Sequence, residues 1–375
     1  MGHEAMTAED RLTAAIALEP TDRVVCGPLM GQYPGRFLGI TNAEFMWNFD
    51  KIVEAHKKLK STYPIWDAAE QSAPYAPAMS VTGIMRSRFP GRDLPDDVEY
   101  QHVEFEAMSV DDYNIIINEG LGAYMAKFFM VSHQLTPEQF HEGTILSDKV
   151  TQDLGKLITE SGQAPLWAIL GGVPADLLCM ARGFMNFCLD LFDEPELVEK
   201  AILKAAEDSV QMSIDSSKSS GCSRVMLGGG RSNPKMLGKE SFERFTWPGL
   251  EKSIYGLIDA GLVPCLHLDS YWDGAFEYLK TLPKGKVLVE LDGFTDIFAA
   301  KEYLGGNCCL MGDVPSTIFA FGTRDEMDAY CKKLIKEVGK GGGFIFSSGC
   351  SIPFNANHEN VKTFFECAEK YGFYN

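Results

Sequence analysis

The sequence predicts an α/β protein, a (β/α)8 TIM barrel with additional N-terminal helices. Three observations predict it. Strand-like apolar runs alternate with helical patterns of roughly 10–20 residues, the signature of parallel βαβ units. No Gly-x-Gly-x-x-Gly follows the first strand, which weakens a dinucleotide-binding sheet. The 375 residues suit a barrel with extra helices, and the whole of 1–375 reads as a single barrel domain: residues 1–60 as N-terminal helices and first strand, 61–375 as the remainder.

Thr7-Ala8-Glu9-Asp10 reads as a capped helix start, with Leu12, Ala15, Ile16 and Leu18 following at helical spacing. Arg23 to Pro28 reads as the first strand, Asn42 to Lys60 as a helix, and Tyr63 to Asp67 as another short strand. The segment from Ser87 to Tyr113 is rich in Pro, Gly and charge around residues 88–97 and predicts a long loop, either a functional lid or a solvated excursion. Met125, Phe128, Phe129 and Met130 read as core.

From about residue 160 the alternation is clearer. Strands are expected at Pro165–Leu170, Arg224–Leu227, Val263–Leu268, Val287–Leu291, Asn307–Met311 and Phe344–Ser347. Helices are expected at Pro174–Leu191, Pro195–Ser216, Ser241–Ala260, Asp296–Leu304, Asp325–Val338 and Glu359–Tyr371. Pro195 takes the permissive first helical position.

A formal charge of −18 and a pI near 4.8 argue against nucleic acid, whose phosphates call for a basic surface, and against an anionic membrane face. No apolar stretch approaches the roughly 18 residues of a membrane span. Met1 to Met6 shows no basic segment leading into an apolar one, so no secretory leader is read and a cytoplasmic location is expected. The ten cysteines show no Cys-x-x-Cys spacing and read as free thiols. Adjacent Cys308 and Cys309 read as buried, one facing the barrel and the other its helices.

In such a barrel the active site lies at the C-terminal ends of the strands, and His267, Asp269, Glu290, Asp292, Asp313 and Cys350 all fall at or near such ends. His267 and Asp269 are two apart on a strand, so their side chains point the same way. With Cys350 they supply nitrogen, oxygen and sulfur, a set that suits zinc and leaves a coordination position open. The plain alternative is a core histidine and a small buried cysteine.

These segments resemble the uroporphyrinogen decarboxylase superfamily. The resemblance rests on Ala5–Pro20 with Asp22-Arg23-Val24, Ser241–His267, Leu304-Gly305-Gly306, Met311-Gly312-Asp313-Val314-Pro315, Phe321-Gly322-Thr323, and Gly349-Cys350 with Glu359-Asn360-Val361-Lys362. That superfamily holds porphyrinogen decarboxylases and zinc methyltransferases working with a corrinoid protein or a thiol. The decarboxylases carry an arginine-rich segment after the first strand, whereas Gly31 to Phe37 has Arg36 alone. Many methyltransferases carry His-x-Cys at the fifth strand and Gly-Cys at the eighth, and here Asp269 replaces the first cysteine.

The resemblance therefore implies a corrinoid-dependent methyltransferase that demethylates a small substrate, an aromatic methyl ether first of all. The implied cofactors are Zn2+, held by His267, Asp269 and Cys350, and the corrinoid (cobalamin) of a partner protein. Glu290 is read as a fourth ligand or acid and Asp313 as a second catalytic carboxylate, with loop organisation as its other reading. Arg231, Tyr271 and Trp272 are read as substrate-binding. The alternatives are a uroporphyrinogen decarboxylase-like decarboxylase and a metal-free binding protein on the same barrel. Homo-oligomerisation is left open.

Overall fold

The computed structural model describes residues 5–82 and 85–374. The leader reading rests partly on residues 1–4, which lie outside the described residues. Eight parallel strands close into a barrel. Seven form one continuous sheet in the spatial order Val25–Cys26, Phe344–Ser348, Cys309–Val314, Leu288–Leu291, Val263–Leu268, Arg224–Gly229 and Ile169–Gly172. The remaining gap is bridged by Ala68–Ala69, which pairs in parallel with Ala164–Pro165. Asp67 N donates to Cys26 O at 2.8 Å and Ala164 N to Asp67 O at 2.8 Å, so the ring of strands is complete. The third strand is thus one interrupted run, 164–172, rather than the continuous Pro165–Leu170 expected.

Side chains alternate across the barrel wall. Val25, Ala68, Trp167, Cys265, Leu288, Cys309, Met311 and Ile345 fill the interior, while Leu266, Leu268, Val289, Leu291 and Cys308 pack under the helices. The adjacent cysteines divide as expected. Because His267 shares parity with Cys265, it faces inward. Its strand also holds register His267↔Glu290 with the next strand, which sets those two side chains at one level.

Several expected elements move. The short strand near Tyr63–Asp67 forms instead at Ala68–Ala69, because Asp67 is taken up by polar anchoring. Its carboxylate, 3% exposed, binds Arg11 Nη1 at 2.7 Å, Arg23 at 2.6 and 2.8 Å, and Cys26 N at 2.9 Å. The helix expected over Asn42–Lys60 is two, Asn42–Trp47 and Phe49–Thr62, with Asn48 capping the second. Pro174–Arg182 and Phe184–Asp193 replace one helix, divided at Gly183, whose φ of 78° a side chain would resist. Ser241–Ala260 resolves into a π-helical turn at Phe242–Thr246 and a helix from Trp247 to Asp259.

The segment read as a long loop contains an antiparallel hairpin, Arg86–Arg88 with Gln101–Val103. Its tip is tied down, with Trp47 Nε1 donating to Pro90 O at 2.8 Å and Ala43 N to Asp96 O at 2.9 Å. Three helices the sequence reading did not place follow it, Asp112–Glu119, Leu121–His133 and Pro137–Glu160. Phe128 enters their core, and Met125 and Phe129 pack against it. No helix among the described residues is long and apolar enough to cross a membrane.

Candidate functional site

The fifth strand delivers His267 to the interior of the barrel mouth, and the chain turns just beyond it. Asp269 N donates to Gly229 O at 2.9 Å, and Trp272 Nε1 donates to Asp269 O at 2.9 Å. Trp272 N is held in turn by Thr295 Oγ1 at 2.8 Å. The Asp269 backbone is therefore fixed on both sides while its carboxylate stays half-exposed. Cys350 arrives from the loop after the eighth strand. Gly349 precedes it because the loop after the sixth strand passes very close: a Cβ at Gly349 would lie 2.5 Å from Asp292 O. That is the physical reason for a Gly-Cys pair here.

Donor atoms of His267, Asp269 and Cys350 all lie within 4.8 Å of one another. His267 Nε2 and Asp269 Oδ2 are 3.5 Å apart. A tetrahedral zinc with bonds of about 2.0–2.3 Å needs donors roughly 3.5 Å apart, so the set fits such an ion. Its composition, one nitrogen, one sulfur and one oxygen, is harder than a site with two thiolates. Burial pushes the Cys350 thiol up, against the pull of neighbouring His267. A metal ion would reverse that preference, since the thiolate is the ligand form.

Glu290 is placed differently from a ligand. Its carboxylate binds His267 Nδ1, the ring edge away from Asp269, and the side chain is 1% exposed. A carboxylate at Nδ1 fixes the proton there and leaves Nε2 facing Asp269 and Cys350, where a bound ion would displace the proton that Nε2 otherwise carries. Burial pushes Glu290 up to about 7, against the opposing pull of His267. Burial also works against a charged His267, but Glu290, Asp269 and Cys350 outweigh it and hold the imidazole well above its ordinary value. The other Glu290 oxygen, Oε1, is buried and has no hydrogen-bond partner.

The remaining expected site residues divide. Asp313 is not joined to this cluster. Its carboxyl, 3% exposed, accepts from Tyr330 on the helix Arg324–Glu337 at 2.8 Å. Burial pushes it up to about 7, the Tyr330 hydroxyl pulling the other way. Trp272 is fully buried against Phe242 and braces Asp269 through the backbone, so it does not wall the mouth. Tyr271 is half-buried, with Lys235 Nζ 3.5 Å above its ring centre and Phe294 at its edge. Arg231 lies at the mouth, paired with Glu104 of the segment after the hairpin at 3.1 Å.

Two groups were missed by the sequence reading. Glu70, two residues past inward-facing Ala68, sits within electrostatic reach of His267 and Glu290, and burial pushes it up to about 7. Tyr100 at the end of the hairpin loop is near Cys350 and Glu70, and burial pushes its hydroxyl up to about 12. Beside it, Glu99 accepts from Phe354 N at 2.6 Å, fastening the hairpin to the loop that carries Cys350. The signal for Glu70 was strand parity, lost when the second strand was placed a few residues early.

Residues 102–371 match the family described as uroporphyrinogen decarboxylase (URO-D). Among curated relatives, the uroporphyrinogen decarboxylase of Mannheimia succiniciproducens is 26% identical over 225 residues, covering 56% of this chain and 60% of that protein. That of Pseudoalteromonas atlantica is 27% identical over 200 residues, 51% of this chain and 53% of the relative. The chain thus spans between half and two-thirds of the length of these relatives. Among solved structures, a methyltransferase from Methanosarcina mazei superposes with a TM-score of 0.70 at 17% identity, covering 98% of this chain and 99% of its own. At that identity the likeness is one of fold.

Proposed function

The chain belongs to the uroporphyrinogen decarboxylase family, and from that membership we propose that it is a zinc-dependent methyltransferase. It takes the methyl group of a small methylated compound, an aromatic methyl ether first of all, and passes it to the cob(I)alamin of a separate corrinoid protein. The observation that carries this reading is the His267–Asp269–Cys350 triad of donors at the barrel mouth. When bound there, zinc would supply Lewis acidity to the substrate heteroatom as negative charge develops on it.

The chain's own residues do the positioning. Glu290 orients His267, and Trp272 and the Gly229 carbonyl fix Asp269. The cob(I)alamin cobalt is itself a strong nucleophile, so the protein needs chiefly to present the methyl carbon toward the open mouth. The departing oxygen keeps the electron pair of the broken C–O bond and leaves as an alcohol or phenol once protonated. The structural neighbour's description as a methyltransferase supports the same reading.

The names of the curated relatives favour porphyrinogen decarboxylation instead. Against it, the mouth carries Glu70, Asp269, Glu290 and Asp292, and its Arg231 already pairs with Glu104. A polycarboxylate would meet like charges there.

The test is direct. Purified protein is assayed for metal, then mixed with free cob(I)alamin and a panel of methyl ethers and methylamines while methylcobalamin is followed by absorbance. About one zinc per chain and methylation from at least one ether support the proposal. Bound metal with no methyl transfer from any of them overturns it, as does release of carbon dioxide from a porphyrinogen.

A further inference from the structure

The helix Phe184–Asp193 presents an apolar stripe that no described residue covers. Met185, Leu189 and Phe192 are 70%, 55% and 83% exposed, at i, i+4 and i+7, so they share one face. Cys188, half-buried, lies on the same face. The opposite face is fully used. Phe187 is completely buried and Leu191 nearly so. Asp190, 4% exposed, accepts from Arg182 Nε at 2.7 Å and from the Tyr113 hydroxyl at 2.9 Å. Rotating the helix to hide the stripe would break that buried ion pair, so the stripe is a fixed feature of the surface. A contiguous exposed apolar patch on so acidic a chain marks a contact site.

Two properties choose the occupant. Between Met185 and Phe192 the one charged residue is Asp190, and it points inward, so the stripe itself carries no charge. Two copies of a chain with formal charge −18 can meet there without opposing like charges. The stripe is also self-complementary about a twofold axis. Pairing the helix antiparallel with its copy sets each Phe192 against the other copy's Met185 and brings Cys188 and Leu189 to the axis. The same pairing lays exposed Asp193 and Glu194 beside the start of the other copy's helix. That start carries the positive pole of the helix. Arg231 stands close by, paired at 3.1 Å with Glu104, which accepts from Phe184 N at 2.8 Å.

We infer that this face is the interface of a homodimer, with a second copy of the chain packed on the helix Phe184–Asp193 about a twofold axis near Leu189. A standard interface buries about 800 Å² per partner, so Met185, Leu189 and Phe192 form its apolar centre and the charged helix ends its rim. The inference does not rest on the methyl-transfer reading.

The test measures the mass of the full chain by light scattering at micromolar concentration. The parent has about twice the 41.5 kDa of one chain. Leu189→Lys and Phe192→Asp are each monomeric, the dissociation constant raised about a hundredfold or more. Their circular dichroism matches the parent, because both side chains are exposed in the single chain. Phe321→Asp, at a position 79% exposed but on another element, stays dimeric. A short bis-maleimide joins two parent chains through Cys188, and Cys188→Ser abolishes the joined band. A monomeric parent overturns the inference and leaves the stripe to a different protein. A dimer that persists in both Leu189→Lys and Phe192→Asp overturns it, as does a cross-link that survives Cys188→Ser. So does a monomeric Phe321→Asp, which would put the interface elsewhere.

Discussion

Glu290 grips His267 at Nδ1, from the ring edge opposite the one that Nε2 turns toward Asp269. The sequence suggested Glu290 as a fourth ligand or an acid, and its carboxylate lies against Nδ1, where it can orient the ring. Glu290→Ala should therefore leave all three donors in place and weaken zinc by about 10–100-fold, measured by competition with a chromogenic chelator. Unchanged affinity would show that His267 needs no such support.

Trp272 braces the other side of the donor set through the Asp269 carbonyl. Trp272→Phe keeps the packing against Phe242 and removes one hydrogen bond. Expected are a loss of about 1 kcal/mol in urea denaturation and zinc binding weakened by a few-fold, roughly what one such bond contributes. Full retention of both would assign Trp272 to packing alone.

Asp67 joins the first two strands through two buried arginines. Asp67→Ala removes a carboxylate shared by Arg11 and Arg23, both about 1% exposed, while Arg11 keeps its two-point pair with Asp22. A penalty of about 1–3 kcal/mol follows from the lost charge-assisted hydrogen bonds, enough to be seen as a drop in the urea midpoint. No measurable change would mean that Asp22 and the nearby backbone carbonyls hold the arginines without Asp67.

Asp313 supplies a pH prediction. Burial raises its folded-state value to about 7, above the ordinary carboxyl value that holds in the unfolded chain. A group raised in this way favours folding fully below its unfolded value, and that advantage is lost as pH rises through about 7. Asp313→Asn cannot ionise. The melting temperature of the variant relative to the parent should therefore climb between about pH 4 and pH 8. A flat difference would mean that the folded carboxyl ionises in its ordinary range.

Much of the mouth was legible from spacing. His267 and Asp269 could be aligned because a strand repeats every two residues, and the strand–helix rhythm carried Cys350 to the same rim. Glu70 was not legible. Its strand is a pair of alanines without branched or aromatic residues, so the apolar run before it drew the assignment. Pro165–Leu170 read as continuous because Leu166 and Trp167 are apolar, yet the ladder breaks there and their backbone turns to pair with Ala69 and Gln71. Asp313 was legible as strand-terminal but not as engaged with Tyr330, a partner 17 residues on and in another element. Of the helices from Asp112 to Glu160, the last was legible and went unread: Thr136 and Gln139 form a capping box, and Val150, Leu154, Leu157 and Ile158 are buried at helical spacing.

The donors of the triad come from the fifth and eighth strands, which the sixth and seventh separate in the sheet. Any ion held there is a stitch across about three-eighths of the barrel's circumference, spanning chain segments some eighty residues apart. By mass action, an ion present at a hundred times its dissociation constant would add about 2.7 kcal/mol to folding. Chelation would then soften the upper hoop of strands as well as silence chemistry, and heat resistance would follow the supply of free metal.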